Sequence, residues 1–275
     1  MGWIEELWRY DERRVVVSGC ASGIGAHLAS QLTELGAEVV GLDVRRPAST
    51  VWKFHETDLL CPASIDRAVS AIGGRVDALF NVAGVSSGIK DPMRVVTINF
   101  LGLRHLTEAL IGAMPPGSSI VSVSSLAAAG YLDHLDAVAG LLATCGLDEG
   151  IEWCRSHPDA LADGGYRLSK EAVILYSMKN VVRLGQRGIR INCTGPGVTE
   201  TPILDQLRSA YGQQYLDDIA KPLRRVAGPA EQAAVLVFLN SQAASYISGE
   251  VIWVDGGNLA SRVAERLNEY QSWPA

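Results

Sequence analysis

The chain has 275 residues, of which 48% are apolar and 20% charged, with a formal net charge of −6. This composition is ordinary for a globular protein and excludes a disordered chain, and the acidic balance argues against a dedicated nucleic-acid binder. No apolar run approaches the roughly 18 residues of a membrane span, and the charged N-terminus lacks the apolar stretch of a signal peptide. We therefore expect a cytoplasmic protein with neither nucleic acid nor membrane as a partner.

The five cysteines and five histidines point away from a disulfide framework and a metal centre. The cysteines are scattered and form no C-x-x-C pair, which is typical of reduced thiols. The histidines show no spacing typical of metal ligands. We expect no bound metal.

Short β-branched runs alternate with longer helical patterns along the chain, which indicates an α/β fold. The predicted strands cover 14–18, 38–42, 53–55, 78–82, 120–123, 189–193 and 251–254. The predicted helices cover 23–35, 62–73, 95–113, 166–184 and 230–239. Most of these strands are apolar throughout, as parallel strands covered by helices on both faces are. The pattern predicts a Rossmann-type, doubly wound parallel sheet in a single domain over 1–275.

One connection is much longer than the others. About 40 residues separate the strand at 120–123 from the helix at 166–184, far beyond the usual loop length. The stretches 135–144 and 147–156 both have helical patterns. We predict a small helical insertion over 132–164, which is either a lid over the site or an element of subunit contact.

The first strand runs into a glycine-rich turn that opens a helix. Gly19, Gly23 and Gly25 have the spacing G-x-x-x-G-x-G, and Ser22 and Ile24 lie between them. Glycines let the backbone approach a pyrophosphate closely, and the helix N-terminus supplies free N–H groups and the positive end of its dipole. In this strand–turn–helix context the turn predicts a dinucleotide site.

Asp43 indicates which dinucleotide binds. It ends the second predicted strand, 18 residues beyond Gly25, where a carboxylate accepts hydrogen bonds from the adenosine ribose hydroxyls. A carboxylate at this position repels a 2′-phosphate, so we expect NAD rather than NADP. The neighbouring Arg45 and Arg46 weaken that preference if they reach the ribose.

Further motifs follow at the ends of later strands. Tyr166 and Lys170 are four residues apart and therefore share one helix face. The other motifs are Asn81-Val82-Ala83-Gly84, Ser122-Val123-Ser124-Ser125, Pro196-Gly197 and Asp255-Gly256-Gly257. Together with the glycine turn, and in this order, they resemble the short-chain dehydrogenase/reductase family from about Arg14 to Gly257. The resemblance implies hydride transfer between a nicotinamide cofactor and an alcohol or ketone.

The expected catalytic group is a tyrosine tuned by a lysine. Hydride transfer requires a proton to move at the alcohol oxygen, but a phenol with an ordinary pKa near 10 is a poor base at neutral pH. The ammonium of Lys170, with the positive nicotinamide, is expected to lower the pKa of Tyr166. A serine hydroxyl then holds the substrate oxygen; Ser124 and Ser125 compete for this role, and the family resemblance favours Ser125.

The resemblance implies several further roles. Lys170 also binds the nicotinamide ribose, and Asn99 organises a water relay to the lysine. Adenine lies beside Asp58 and Leu59. The adenosine ribose is lined by Asn81, Ala83 and Gly84. The carboxamide and pyrophosphate face the backbone of Val198 and the hydroxyl of Thr201, with Thr199 as the alternative to Thr201.

The long connection before Tyr166 matches a subgroup that contains bacterial 3α-hydroxysteroid dehydrogenase/carbonyl reductases and coniferyl-alcohol dehydrogenases. The resemblance implies a small hydrophobic substrate, with a 3α-hydroxysteroid expected first and a coniferyl-type aromatic alcohol second. A 3-oxoacyl-thioester reductase is a third alternative, and a non-catalytic NAD-binding regulator is a fourth. The family also implies a homodimer or homotetramer. The segment 203–219, with Tyr211 and Tyr215, either lines an apolar pocket or forms an ordinary surface helix.

Overall fold

The computed structural model describes residues 2–271; the remainder of the predicted 1–275 domain, Met1 and 272–275, lies outside the described residues. Its centre is a seven-stranded, fully parallel sheet with the order β3-β2-β1-β4-β5-β6-β7. The strands are β1 Arg14–Ser18, β2 Glu38–Asp43, β3 Lys53–Glu56, β4 Ala78–Asn81, β5 Ser119–Val123, β6 Arg190–Pro196 and β7 Val251–Val254. All seven predicted strands are confirmed, with small differences at their ends.

The sheet is covered by helices on both faces because its strands are apolar on both sides. In β1, Val16 packs into one hydrophobic core while Val15 and Val17 pack into the other, as the alternation of strand side chains requires. The strand order changes direction between β1 and β4. In such sheets the ligand crevice opens at this point, at the carboxyl ends of the strands. The predicted fold class is confirmed.

Helices occupy most of the connections. They are α1 Trp3–Glu6, α2 Gly23–Glu34, α3 Pro62–Ile72, α4 Pro92–Val96, α5 Leu103–Ile111, α6 Leu135–Ala143, α7 Gly146–Ser156, α8 Tyr166–Gly185, α9 Pro202–Tyr211, α10 Gln213–Asp217, α11 Pro229–Asn240 and α12 Asn258–Gln271. The core on one face contains α2 and α11, and the core on the other contains α3, α5 and α8. Helices α1 and α12 were not predicted, and α9 and α10 occupy the segment for which two alternatives were open.

The predicted helix over 95–113 is wrong as a single regular element. The structure divides it into α4, a six-residue π-helical turn over Thr97–Gly102, and α5. Gly102 leaves no space for a side chain, because a Cβ there would collide with the main-chain carbonyl of Leu59. Apolar periodicity does not distinguish a π turn from an α-helical turn, and such turns often lie at functional sites.

The two predicted insertion helices are present as α6 and α7. They bury Val138, Leu141, Leu147 and Cys154 in the core that also contains α5 and α8. The guanidinium of Arg104, on α5, donates to the main-chain carbonyls of Thr144, directly after α6, and of Gly146, the first residue of α7. The insertion is therefore packed as part of the core.

The structure describes residues 2–271 without a candidate membrane span or metal cluster among them. No helix in this part of the chain is both long and apolar enough to cross a bilayer. The same residues contain no group of three or more His, Cys, Asp or Glu side chains arranged to hold a metal ion.

Candidate active site

A cavity of about 1090 Å³ opens at the carboxyl edge of the sheet. Five strands contribute residues at or just beyond their ends: Ser18, Asp43, Val82, Val123 and Pro196. Further parts of the wall come from the glycine turn, the start of α8 and the segment containing α9 and α10. The cavity therefore contains both the predicted nucleotide end and the predicted chemical end.

The glycine turn has the close packing that a pyrophosphate site needs. Gly19 has a φ of +76°, and a Cβ at this position would lie 2.6 Å from the Cα of Ala83. A Cβ at Gly25 would collide with the main-chain carbonyl of Gly19. Ser22 caps the start of α2 in an extended conformation, and Ser22, Gly23, Ile24 and Gly25 all line the cavity. The first N–H groups of α2 have no partner within their own helix and are oriented to bind an anion.

Asp43 is held beside this turn by two backbone donors. The N–H of Ala21 donates to one carboxylate oxygen at 3.0 Å, and the N–H of Arg45 donates to the other at 3.1 Å. Each carboxylate oxygen has a second acceptor site for a ribose hydroxyl. The guanidinium of Arg46 lies over the ring of Phe54, 5.4 Å from its centroid.

Most of the predicted adenosine-binding residues lie on the cavity wall, but Asn81 does not. Asp58, Leu59, Ala83 and Gly84 line the cavity. The side chain of Asn81 is buried, and its amide donates to Thr107 and Ser122 at 2.9 and 3.2 Å. The side chain of Asn81 therefore joins β4 to α5 and β5 inside the core, and contact of Asn81 with the adenosine ribose stays a prediction.

Tyr166, Lys170 and Ser125 come together on one wall. The ammonium of Lys170 donates to the carbonyl of Val123 at 2.9 Å and lies 5.8 Å from the centre of the Tyr166 ring. The two candidate serines are distinguished by their contacts. Ser124 is buried and donates to the carbonyl of Lys170 at 2.7 Å, whereas Ser125 faces the cavity near Tyr166.

Burial dominates the protonation equilibria of this wall. It lowers the pKa of the Lys170 ammonium to about 8 and raises the pKa of the Tyr166 phenol. The neighbouring hydroxyl of Ser125 opposes the rise in the pKa of Tyr166, and the neighbouring Tyr215 adds to that rise. The expected fall in the pKa of Tyr166 is thus not found in the free protein, because desolvation penalises the phenolate.

Asn99 lies in the π-helical turn, behind the cavity wall. Its amide group accepts from the N–H of Val85 at 2.8 Å and donates to the carbonyl of Val85 at 2.9 Å. It also donates to Ser169 at 3.2 Å. A Cβ at Gly84 would lie 3.2 Å from the Asn99 amide oxygen and 3.4 Å from the Lys170 nitrogen. Asn99 therefore fixes the segment that separates it from Lys170, and its predicted water relay stays a prediction.

The two candidate threonines have different surroundings. Thr201 lies against the glycine turn, since a Cβ at Gly23 would be 3.3 Å from its methyl group. Thr199 is buried, and its hydroxyl accepts from Gln232 at 3.2 Å. Thr199, Thr201 and Val198 all line the cavity, and the choice of Thr201 over Thr199 as the residue that faces the pyrophosphate stays a prediction.

The substrate side of the cavity is mainly apolar. Its walls are residues after Ser125 and residues from α9, α10 and their connection: Leu126, Ala127, Ala129, Ile203, Leu204, Leu207, Tyr215, Leu216 and Ile219. Sequence reasoning missed Ile89, Ile98 and Arg262, which also line the cavity, because no motif marks them. None of the described residues between Gly130 and Tyr166 lines the cavity. The lid alternative for the 132–164 insertion is therefore not supported.

Residues 13–137 match the short chain dehydrogenase family, and residues 160–258 match the family described as enoyl-(acyl carrier protein) reductase. A coniferyl-alcohol dehydrogenase of Pseudomonas sp. (strain HR199) is 38% identical, over 89% of this chain and 96% of its own. The 3-alpha-hydroxysteroid dehydrogenase/carbonyl reductase of Comamonas testosteroni is 34% identical, over 88% and 95%. The chain belongs to the short-chain dehydrogenase/reductase family.

A solved structure extends this comparison to the fold. The 3-alpha-hydroxysteroid dehydrogenase from Pseudomonas sp. B-0831, complexed with NADH, superimposes with a TM-score of 0.79 at 32% identity. The match covers 92% of this chain and 99% of that one. The protein is therefore an oxidoreductase of this family that uses a nicotinamide cofactor. The stretch 138–159, which neither family match covers, contains most of α6 and all of α7.

Proposed function

We propose that the protein is an NAD-dependent alcohol dehydrogenase/carbonyl reductase that acts on a hydrophobic, ring-bearing alcohol or ketone. One observation carries this proposal: Ser125, Tyr166 and Lys170 share one wall of a cavity that also contains the glycine turn. The close packing at Gly19 and Gly25 fits a dinucleotide site, because side chains there would collide with the backbone of Ala83 and of Gly19 and disrupt the turn that opens α2.

The residues have separate roles in this proposal. The bound nicotinamide supplies or accepts the hydride. Ser125 holds the substrate oxygen through its hydroxyl. Tyr166 donates its phenolic proton when a ketone is reduced, and the raised pKa of the free protein keeps that proton in place. In the oxidative direction Tyr166 accepts the proton, and the ammonium of Lys170 stabilises the phenolate.

The proposed preference for NAD rests on Asp43. Its carboxylate lies at the end of β2 beside the glycine turn, where the backbone N–H groups of Ala21 and Arg45 fix its orientation. A 2′-phosphate placed next to this carboxylate would bring negative charges together. Arg45 lines the cavity but has no ion pair with a described residue. We therefore propose that NADP is used poorly.

Two substrate classes are supported by different findings. The structural neighbour that contains NADH is a 3-alpha-hydroxysteroid dehydrogenase, which supports a 3α-hydroxysteroid. The relative with 38% identity is a coniferyl-alcohol dehydrogenase, which supports an aromatic primary alcohol. Both substrates present a ring system to the apolar walls around Leu204 and Tyr215. The family resemblance also supports a homo-oligomer, which a mass measurement in solution tests.

The test is the absorbance at 340 nm with purified protein and NAD at mildly alkaline pH. The panel contains 3α-hydroxysteroids, other hydroxysteroids, cinnamyl-type alcohols and small secondary alcohols, and each assay is repeated with NADP. NADH formation with one ring-bearing class supports the proposal and selects between the two substrates. Turnover only with small alcohols, or faster turnover with NADP, contradicts it.

A further inference from the structure

A buried carboxylate lies directly after the active-site lysine. The side chain of Glu171 is fully buried, with 0% exposure, although it follows Lys170 on α8. One carboxylate oxygen lies 2.8 Å from Nδ1 of His134, and the other accepts from Arg167 at 2.9 Å. A buried carboxylate is costly unless charged or polar partners surround it, so these two contacts are needed for the fold to hold it.

The cluster joins both ends of the insertion to α8. His134 immediately precedes α6, at the start of the insertion. Asp163, near its end, lies 3.1 Å from Nε of Arg167. Glu171 contacts His134 directly and is linked to Asp163 through Arg167. Both ends of the insertion are therefore linked to the same part of α8.

The same cluster reaches the residue before Tyr166. The other oxygen of Asp163 accepts from the N–H of Gly165 at 3.1 Å. Gly165 has a φ of +73°, and a Cβ there would lie 2.7 Å from the carbonyl of Pro92. The chain therefore enters α8 through a tightly packed glycine whose orientation the cluster holds.

We propose that Glu171 is a positioning residue for hydride transfer, which acts through Arg167, Asp163 and Gly165 to fix the first turn of α8 and the direction of the Tyr166 phenol. The inference rests on the proposed function. It differs from the role of Lys170, because Glu171 contacts neither the cavity nor Tyr166. A misplacement of about 1 Å in a reacting group can reduce a rate about 100-fold, so a fixed helix start affects turnover directly.

The test compares Glu171→Gln with variants that separate positioning from stability. Arg167→Met removes the arginine partner of Glu171 at a position where the side chain is partly exposed. Arg167→Lys retains the positive charge. Arg104→Gln is the structural control, because Arg104 is buried and holds the middle of the same insertion. Asp66→Asn is a second control, because it removes a carboxylate that pairs with a histidine away from the cavity. Asp66 lies 2.7 Å from His105.

We expect Glu171→Gln and Arg167→Met to lower kcat about 10- to 100-fold while the Kd for NADH and the substrate KM change little. Arg167→Lys should recover most of kcat. Arg104→Gln should lower Tm and leave kcat unchanged below its transition, and Asp66→Asn should change neither. Arg167→Met also tests the proposal if Glu171→Gln does not fold.

Three results would overturn the proposal. The first is wild-type kcat in Glu171→Gln or Arg167→Met. The second is an equal loss of kcat in Arg104→Gln, which would reduce Glu171 to a stabilising role. The third is the absence of turnover in the wild-type protein across the substrate panel, which would overturn the proposed function as well. In the first two results the wild-type protein is active, so only the positioning role of Glu171 fails. In the third result the wild-type protein is inactive, so the proposed function fails too.

Discussion

The ammonium of Lys170 donates a hydrogen bond of 2.9 Å to the carbonyl of Val123, while the hydroxyl of Ser124 donates one of 2.7 Å to the carbonyl of Lys170. These two bonds run in opposite directions between the end of β5 and the first turns of α8. They hold Tyr166, one helical turn before Lys170, on the same wall as Ser125. Ser124 thus makes the bond to α8, whereas the hydroxyl of Ser125 accepts from the N–H of Ala127 at 3.2 Å and faces the cavity near Tyr166.

The first prediction concerns the stability of the free protein and its pH dependence. Burial lowers the pKa of Lys170 from 10.5 to about 8, so between these values the unfolded chain binds more protons than the folded one. Stability therefore rises with pH across this window, and the buried charge is destabilising at pH 7. Lys170→Met should raise Tm by roughly 2–8 °C at pH 7, for a gain on the order of 1–3 kcal/mol.

The gain in Tm of Lys170→Met over the wild type should be smaller at pH 9.5 than at pH 7, because Lys170 of the folded wild-type protein is largely neutral at pH 9.5. Tyr166 does not interfere at this pH, because its pKa is raised above its ordinary value near 10. Lys179→Met is the matched control, since Lys179 lies on the same helix and is exposed. Thermal unfolding at the two pH values is the measurement. A lower Tm for Lys170→Met at pH 7 would contradict the account of the buried charge.

The second prediction concerns cofactor choice. Asp43→Ser retains an oxygen for the N–H of Ala21 but removes the negative charge beside the ribose. The ratio of kcat/KM for NADP to that for NAD should rise about tenfold or more, which corresponds to about 1.4 kcal/mol. Asp66→Asn removes an exposed carboxylate from α3 and should leave the ratio unchanged. A wild-type preference for NADP would show that Asp43 does not select the cofactor.

The third prediction concerns the insertion. A side chain at Gly150, on α7, would collide with the buried side chain of Leu101, so Gly150→Val overpacks the core. Overpacking of this kind costs about 1–3 kcal/mol, and Tm should fall accordingly. Turnover per folded molecule at low temperature should be unchanged, because described residues of α6 and α7 do not line the cavity.

The matched control for this substitution is Gly185→Val, since Gly185 ends α8 with open space around it. Thermal unfolding and initial rates measured on the same preparations decide the question. A change in substrate KM in Gly150→Val, with no fall in Tm, would favour a lid role for the insertion.

The sequence predicted the sheet well because each strand carries its own signal. The three consecutive valines of β1, and the Ile120-Val121 pair of β5 with Val123, place apolar side chains on both faces of the strand, so they indicate buried strands without knowledge of their neighbours. The glycine turn and the Tyr166–Lys170 spacing are equally local. Because the carboxyl ends of parallel strands lie at the same edge of the sheet, the residues of these motifs meet there. Residues far apart in sequence therefore share one cavity.

The parts that the sequence did not predict depend on long-range contacts. In the π-helical turn, Asn99 is hydrogen-bonded to Val85 and Gly102 packs on Leu59. The apolar periodicity of the sequence does not indicate either contact. Asn81 was expected at the ribose because it belongs to a cofactor motif. Its amide joins Thr107 and Ser122 across three elements. The pKa of Tyr166 depends on burial, which a motif does not reveal.

We propose that Tyr166 transfers the proton that accompanies hydride transfer. The most direct measurement is the kcat of Tyr166→Phe, with Tyr246→Phe as a control at a fully exposed position. The account predicts that Tyr166→Phe loses about 10²- to 10⁴-fold in kcat while NADH binding is retained, and that the control matches the wild type. Turnover by Tyr166→Phe at the wild-type rate would contradict it.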